Sequence, residues 1–168
     1  MEIRKQLAPT QTTPKASRNK VLFWRDVCVI VDDGTARAAD YADFGKLILE
    51  QKSRFAKGIG CLVIIPEHSK PPPDEVRKAI NCALADLESG LRCFCWIVES
   101  SGFHAAIARG VLTGIRILAR HKYPIETKTN IEDALNWMLP QLEGGKQRLG
   151  DIPSAVSYVR QQRGLARL

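Results

Sequence analysis

A chain of 168 residues, 45% hydrophobic and 26% charged, has the length and composition of one globular domain able to bury a real core. No apolar run approaches the roughly 20 residues that cross a bilayer, and the first residues hold no secretory-type apolar stretch, so the expectation is a cytoplasmic protein with no membrane span. The formal charge of +7 is unevenly placed: residues 1–20 carry five bases and one acid, residues 143–168 five bases and two acids, and residues 21–142 are neutral. A charge-balanced body with two basic ends is unlike a uniformly basic nucleic-acid binder.

Residues 1–19, with Pro9, Pro14 and no apolar periodicity, read as a flexible basic arm. Val21-Leu22-Phe23-Trp24 and Val27–Val31 are two apolar runs joined by Arg25-Asp26, which predicts a hairpin. Asp32-Asp33-Gly34 ends the second run. Tyr41, Phe44, Ile48 and Phe55 recur at helical spacing over 38–56, and Lys57-Gly58 closes that helix. Cys61–Ile65 is apolar on both faces, as a central strand requires.

Pro71-Pro72-Pro73 is a stiff connector. Asp74-Glu75 opens a helix with the acidic first turn its dipole favours, and Val76, Ile80, Ala83, Leu84 and Leu87 form the buried stripe. Cys93–Val98 is a further central strand. A helix over about 103–119 is apolar almost all round and rich in small residues (Ala105, Ala106, Ala108, Gly110, Gly114). Tyr123–Lys128 suits an edge strand, since Pro124 cannot serve a central one. Thr129-Asn130-Ile131-Glu132 reads as a capping box, followed by the stripe Ile131, Leu135, Met138 and Leu142. Gly144-Gly145 marks the expected domain end. The basic tail 143–168 carries one possible short helix with Ile152, Val156 and Val159 on its apolar side. The order β-β-α-β-α-β-α-β-α predicts a single layered α/β domain over 20–142, with a mostly parallel sheet and an N-terminal hairpin.

The five cysteines read as reduced structural thiols, because four lie inside apolar strand text. Cys93-Phe94-Cys95 is not a metal-ligand spacing, and neither a metal nor any other cofactor is expected.

Val27–Gly34, Cys61–Ile65 leading through prolines into a helix, Val98-Glu99-Ser100-Ser101-Gly102-Phe103 leading into a small-residue helix, and Thr129–Trp137 together resemble the STAS domain. The nearer likeness is its SpoIIAA-like, anti-sigma-factor-antagonist branch, over roughly residues 20–142. The resemblance implies a non-catalytic regulator that binds a protein partner. In several members of that family a serine at a helix start, in an Asp-Ser-like turn, is phosphorylated. Here the turn before the second helix reads Glu67-His68-Ser69, and the better-matching text, Glu99-Ser100-Ser101-Gly102, sits one repeat later.

Ligands of open α/β sheets bind beyond the carboxyl ends of the strands. The three central strands end in Asp32-Asp33-Gly34, Glu67-His68-Ser69 and Glu99-Ser100-Ser101-Gly102, with His104 close behind. Parallel neighbours would gather Asp, Glu, His and Ser on one rim. Ser69, Ser100, Ser101 and Gly102 are therefore the candidates for anion contact or phosphorylation. Simple helix capping explains the same residues. No GxSxG, HExxH, Walker A or GxGxxG text is present, so no catalytic residue is assigned. His68, His104 and His121 read as loop, surface or helix-end histidines. Arg109, Arg116 and Arg120 form the one polar stripe of the small-residue helix. With Arg160, Arg163 and Arg167 of the tail they are the candidate contacts to a partner with an acidic surface.

The expectation is a non-enzymatic regulatory or scaffold protein acting through protein–protein contact, with homo-oligomerisation left open. Two alternatives stand beside it. One is a small-molecule or anion binder, or a hydrolase, using the rim. The other is a nucleic-acid accessory protein whose arms contact phosphates.

Overall fold

The computed structural model describes residues 10–11, 20–32, 35, 37–67, 69–118 and 122–163. Two short strands, β1 (Thr10–Gln11) and β2 (Lys20–Trp24), are followed by β3 (Val27–Val31), α1 (Ala38–Lys52), β4 (Ile59–Ile65), α2 (Asp74–Asp86) and β5 (Leu91–Val98). Then come α3 (Gly102–Leu118), β6 (Ile125–Lys128), α4 (Ile131–Met138), two 3-10 turns (Leu139–Gln141 and Gly145–Asp151) and α5 (Ile152–Gln162). The strands form one sheet in sequence order. β1, β2 and β3 pair antiparallel, and β3, β4, β5 and β6 run parallel.

This is the expected α/β domain, with its N-terminal hairpin on one side of a parallel sheet. Each parallel pair needs a crossover, and α1, α2 and α3 supply the three. They cover one face. Cys28, Ile30, Cys61, Phe94 and Trp96 of the strands pack there with Phe44, Ile48, Leu84, Leu112 and Ile115 of the helices. The alternate strand residues, Val27, Val29, Leu62, Ile64, Cys95 and Ile97, meet α4 and α5 on the other face. A two-residue strand period thus feeds two cores from one apolar run.

The chain ends fare differently. Of the arm expected over 1–19, only Thr10 and Gln11 lie among the described residues, as β1 at the sheet edge with Thr10 opposite Phe23. The tail expected beyond 142 belongs to the second core: Ile152, Ala155, Val156 and Val159 of α5 are buried against the sheet. Gly144 and Gly145 do not end the domain. Their positive φ angles of 97° and 56° reverse the chain into the second 3-10 turn and return it to the sheet.

That return is pinned by charge. Asp26, in the β2–β3 turn and only 2% exposed, takes two hydrogen bonds from Arg148 Nη1, both 3.0 Å. Arg148 Nε donates to Asp151 Oδ2 at 2.7 Å, and Arg25 Nη1 donates to the same oxygen at 2.7 Å. Both guanidiniums lie over the Trp24 ring, at 5.0 and 5.7 Å from its centroid. Burial holds the Asp26 carboxyl above its ordinary pKa, while Arg148 pulls the other way. On the same face, a side chain at position 60 would meet Met138 Sδ at 2.8 Å, so the Met138 side chain would have to move aside for it.

The helix starts differ in detail from the sequence pattern. The cap of α4 is Asn130, not Thr129: its Oδ1 accepts from Asp133 N at 2.8 Å. The chain turns one residue later than the Thr-x-x-Glu text implied, and Asn is an equally good cap. At α1, Asp40 Oδ2 accepts from the Arg37 backbone N–H at 2.8 Å, which holds its carboxyl below the usual range.

Candidate functional site

The strand-end rim does not assemble as one site. Strand alternation explains why. Residues 28 and 30 of β3 face α1–α3, so Asp32 continues to that side, where the Tyr41 hydroxyl donates to its Oδ2 at 3.2 Å. Residues 95 and 97 of β5 face α5, so Glu99 continues to the opposite side. There Arg163 grips it with two hydrogen bonds, Nη1 to Oε1 at 2.6 Å and Nη2 to Oε2 at 2.8 Å. The sheet therefore stands between the two carboxylates that the linear text placed together.

Of the serine candidates, Ser69 joins the Asp32 side: its hydroxyl donates to the Asp32 carbonyl at 3.1 Å. Ser100 is buried, Ser101 is exposed, and Gly102 opens α3 with a φ of 60°. The arginine candidates are also divided. Arg109 is exposed on α3 and Arg160 is exposed on α5, on opposite layers, while Arg163 is taken up by Glu99. Arg120 and Arg167, with the Arg116 side chain, lie outside the described residues. So do Asp33, Gly34, His68, His121 and the His104 side chain.

What the structure adds is a cavity of about 110 Å3 between the sheet and the three crossover helices. Its floor is Ile30, Cys61, Val63, Ile65, Phe94 and Trp96. Tyr41, Phe44 and Ile48 of α1 wall one side. Val76, Ile80 and Leu84 of α2 stand opposite Ile107, Val111 and Leu112 of α3. At the strand ends the lining turns polar, with Asp32, Tyr41 and Ser69, then Lys70 and the three prolines. The packing records the same gap. β4 is central in the sheet, yet Val63 and Ile65, which face these helices, are only half-buried, while Leu62 and Ile64 on the other face are fully buried. Half-buried Ile80, Ile107 and Val111 line the space above them.

The sequence carried one signal of this. Helix α3 is apolar on nearly every side but built of small residues, and Ala105 is its only alanine fully buried in the core. Of its small residues, Ala108 lines the cavity and is only half-buried. Such a helix can roof a sheet without filling the space beneath it. What the sequence withheld was the separation of α2 and α3.

The buried phenol and thiol of the lining are held in their protonated forms. Burial, then the Asp32 charge, pushes the Tyr41 hydroxyl far above its ordinary pKa, so it stays protonated and donates. The Cys61 thiol is held well up by its hydrogen bond with Cys28 and by burial. Burial pushes Cys95, on the other face, up to about 12. These sulfurs remain thiols, as buried structural cysteines do. Among the described residues no group of three or more His, Cys, Asp or Glu side chains is placed to hold a metal ion. No described helix is long and apolar enough to cross a membrane.

Comparison with protein-family models, curated proteins and solved structures gives no match for this chain.

Proposed function

We propose that this protein binds a small, largely apolar molecule in the cavity beneath α1, α2 and α3, and that it does so without turnover. The observation that carries the reading is the gap itself. A central strand of a parallel sheet is normally covered on both faces, and here one face of β4 is left half-covered by apolar side chains with a polar mouth at the strand ends. Apolar walls with a few convergent polar groups are the usual make-up of a small-molecule site. The position, outside the carboxyl ends of parallel strands, is where α/β sheets take ligands.

Binding without turnover fits the polar groups. The Ser69 hydroxyl donates to a backbone carbonyl rather than to a base. Tyr41 is held protonated. The protein-contact reading has less beneath it, because Arg109 and Arg160 face opposite ways and Arg163 is engaged within the fold.

The test is a thermal-melt screen with small apolar molecules such as benzene, toluene and short alkanes. A ligand held by the folded state alone raises the melting temperature, and the rise grows with the logarithm of its concentration relative to Kd. Ala108→Trp, placed to fill the space under α3, should keep the fold and abolish the shift. The reading fails if no apolar molecule stabilises the wild type, or if the filled variant responds as the wild type does.

A further inference from the structure

The walls and the mouth of this cavity are specific enough to name a ligand class. We propose that it accepts an aromatic carboxylic acid, with the ring between α2 and α3 and the carboxylate at the mouth beside Lys70; this rests on the cavity being a binding site at all. An apolar cavity of about 150 Å3 holds a benzene-sized guest, so the 110 Å3 here takes at most one ring, with the rest of the molecule in the mouth.

The case for a ring is the lining. Phe44, Phe94, Trp96 and Tyr41 all border the space. Phe94 and Trp96 already meet edge to face, with centroids 4.5 Å apart, and Tyr41 and Phe44 do so at 5.6 Å. A planar guest can extend these edge-to-face contacts, whereas an alkyl chain gains only its buried area.

The case for a carboxylate is the inventory of polar groups at the mouth. Tyr41 spends its proton on Asp32 Oδ2, and Ser69 spends its own on the Asp32 carbonyl. Lys70 remains. It lines the mouth, is exposed, and has no ion-pair partner among the described residues. Its backbone is confined between Ser69, tied to Asp32, and Pro71-Pro72-Pro73, whose φ angles are locked by their rings. The Asp32 carboxylate repels a second negative charge, which places the ligand head on the Lys70 side of the mouth and away from Tyr41. An ammonium with three free donors is a natural partner for a carboxylate there.

Calorimetric titration of the full chain tests this with three ligands: 3-phenylpropanoate, its neutral amide, and nonanoate, the straight-chain acid of equal carbon number. The aromatic acid should bind at least tenfold tighter than either other ligand. Lys70→Gln, an exposed change that should leave the melting temperature unaltered, should reduce the acid to the affinity of the amide. Ala108→Trp, or Val111→Phe should the first not fold, should remove binding of all three.

Equal binding of acid and amide, or an acid indifferent to Lys70→Gln, overturns the carboxylate. Equal binding of nonanoate overturns the ring. In both cases a ligand still excluded by the filled variants leaves the cavity reading standing. If none of the three binds and the apolar screen is also blank, or if binding persists in the filled variants, the cavity reading falls as well.

Discussion

The two faces of the sheet are built from alternate residues of the same strands, yet they are finished in different ways. Under α4 and α5 the packing is closed: Leu135, Met138, Leu139 and Ala134 are essentially inaccessible, and the Asp26–Arg148–Asp151 network fastens the returning chain. Under α1, α2 and α3 apolar side chains line a space they do not fill. Both faces bury a core, but one is filled and the other leaves space beneath its helices. The basic C-terminal segment looked like the dispensable part of the chain, but it completes the closed face.

The strongest way to break this contrast is to remove residues 143–168. Burying one Val, Leu or Ile side chain contributes about 1.5–3 kcal/mol, so losing Ile152, Val156 and Val159 together removes roughly as much as a whole domain's margin of about 5–15 kcal/mol. The truncated chain should show no cooperative thermal transition by circular dichroism. A sharp transition near the wild-type temperature would return the segment to the status of a tail.

Next in size is Arg148→Ala. It leaves the Asp26 carboxyl buried and without its guanidinium, for which a loss of about 3–5 kcal/mol is expected in urea denaturation. Arg148→Met, which keeps bulk over Trp24, should recover little, because the cost lies in the orphaned carboxyl.

A matched pair sharpens the comparison directly. Leu135→Ala on the closed face should cost about 3 kcal/mol, within the usual range for a core leucine. Leu112→Ala, beside the cavity, should cost about half of that, since its neighbours already lack partners on one side. Equal losses would mean that the two faces are equally well packed.

The smallest effect is one of pH. Arg37's backbone N–H lowers the Asp40 pKa, so its contribution is fully present above the unfolded value of about 4 and is lost as pH falls through the lowered folded value. Asp40→Ala should cost about 1 kcal/mol near neutrality, and the gap to the wild type should close on acidification. A gap that stays constant down to about pH 2, below the ordinary carboxylate range, would remove the charge from the account.

Much of the fold was legible because it is written locally. Apolar runs of five to eight residues bounded by Asp-Gly, proline or Ser-Gly text gave β3, β4 and β5, and the helical stripes with their acidic starts or glycine stops gave the crossovers. Pro124 placed β6 at the edge, where it lies. The site was less legible. Asp32 and Glu99 occupy equivalent points in the text, at the ends of parallel strands, but differ by one step of the two-residue pleat relative to the core. That step sends one to the cavity mouth and the other to Arg163.

The sequence by itself determined which segments are strands and helices, their order, and the existence of two apolar strand faces, because backbone geometry and side-chain spacing set these within a few residues. Only the tertiary structure decided which face each polar strand-end residue joins, that α5 closes the second core, and that α2 and α3 stand apart. Those outcomes depend on contacts between residues far apart in the chain, on pleat parity accumulated along each strand, and on the volume left after the helices have settled on the sheet.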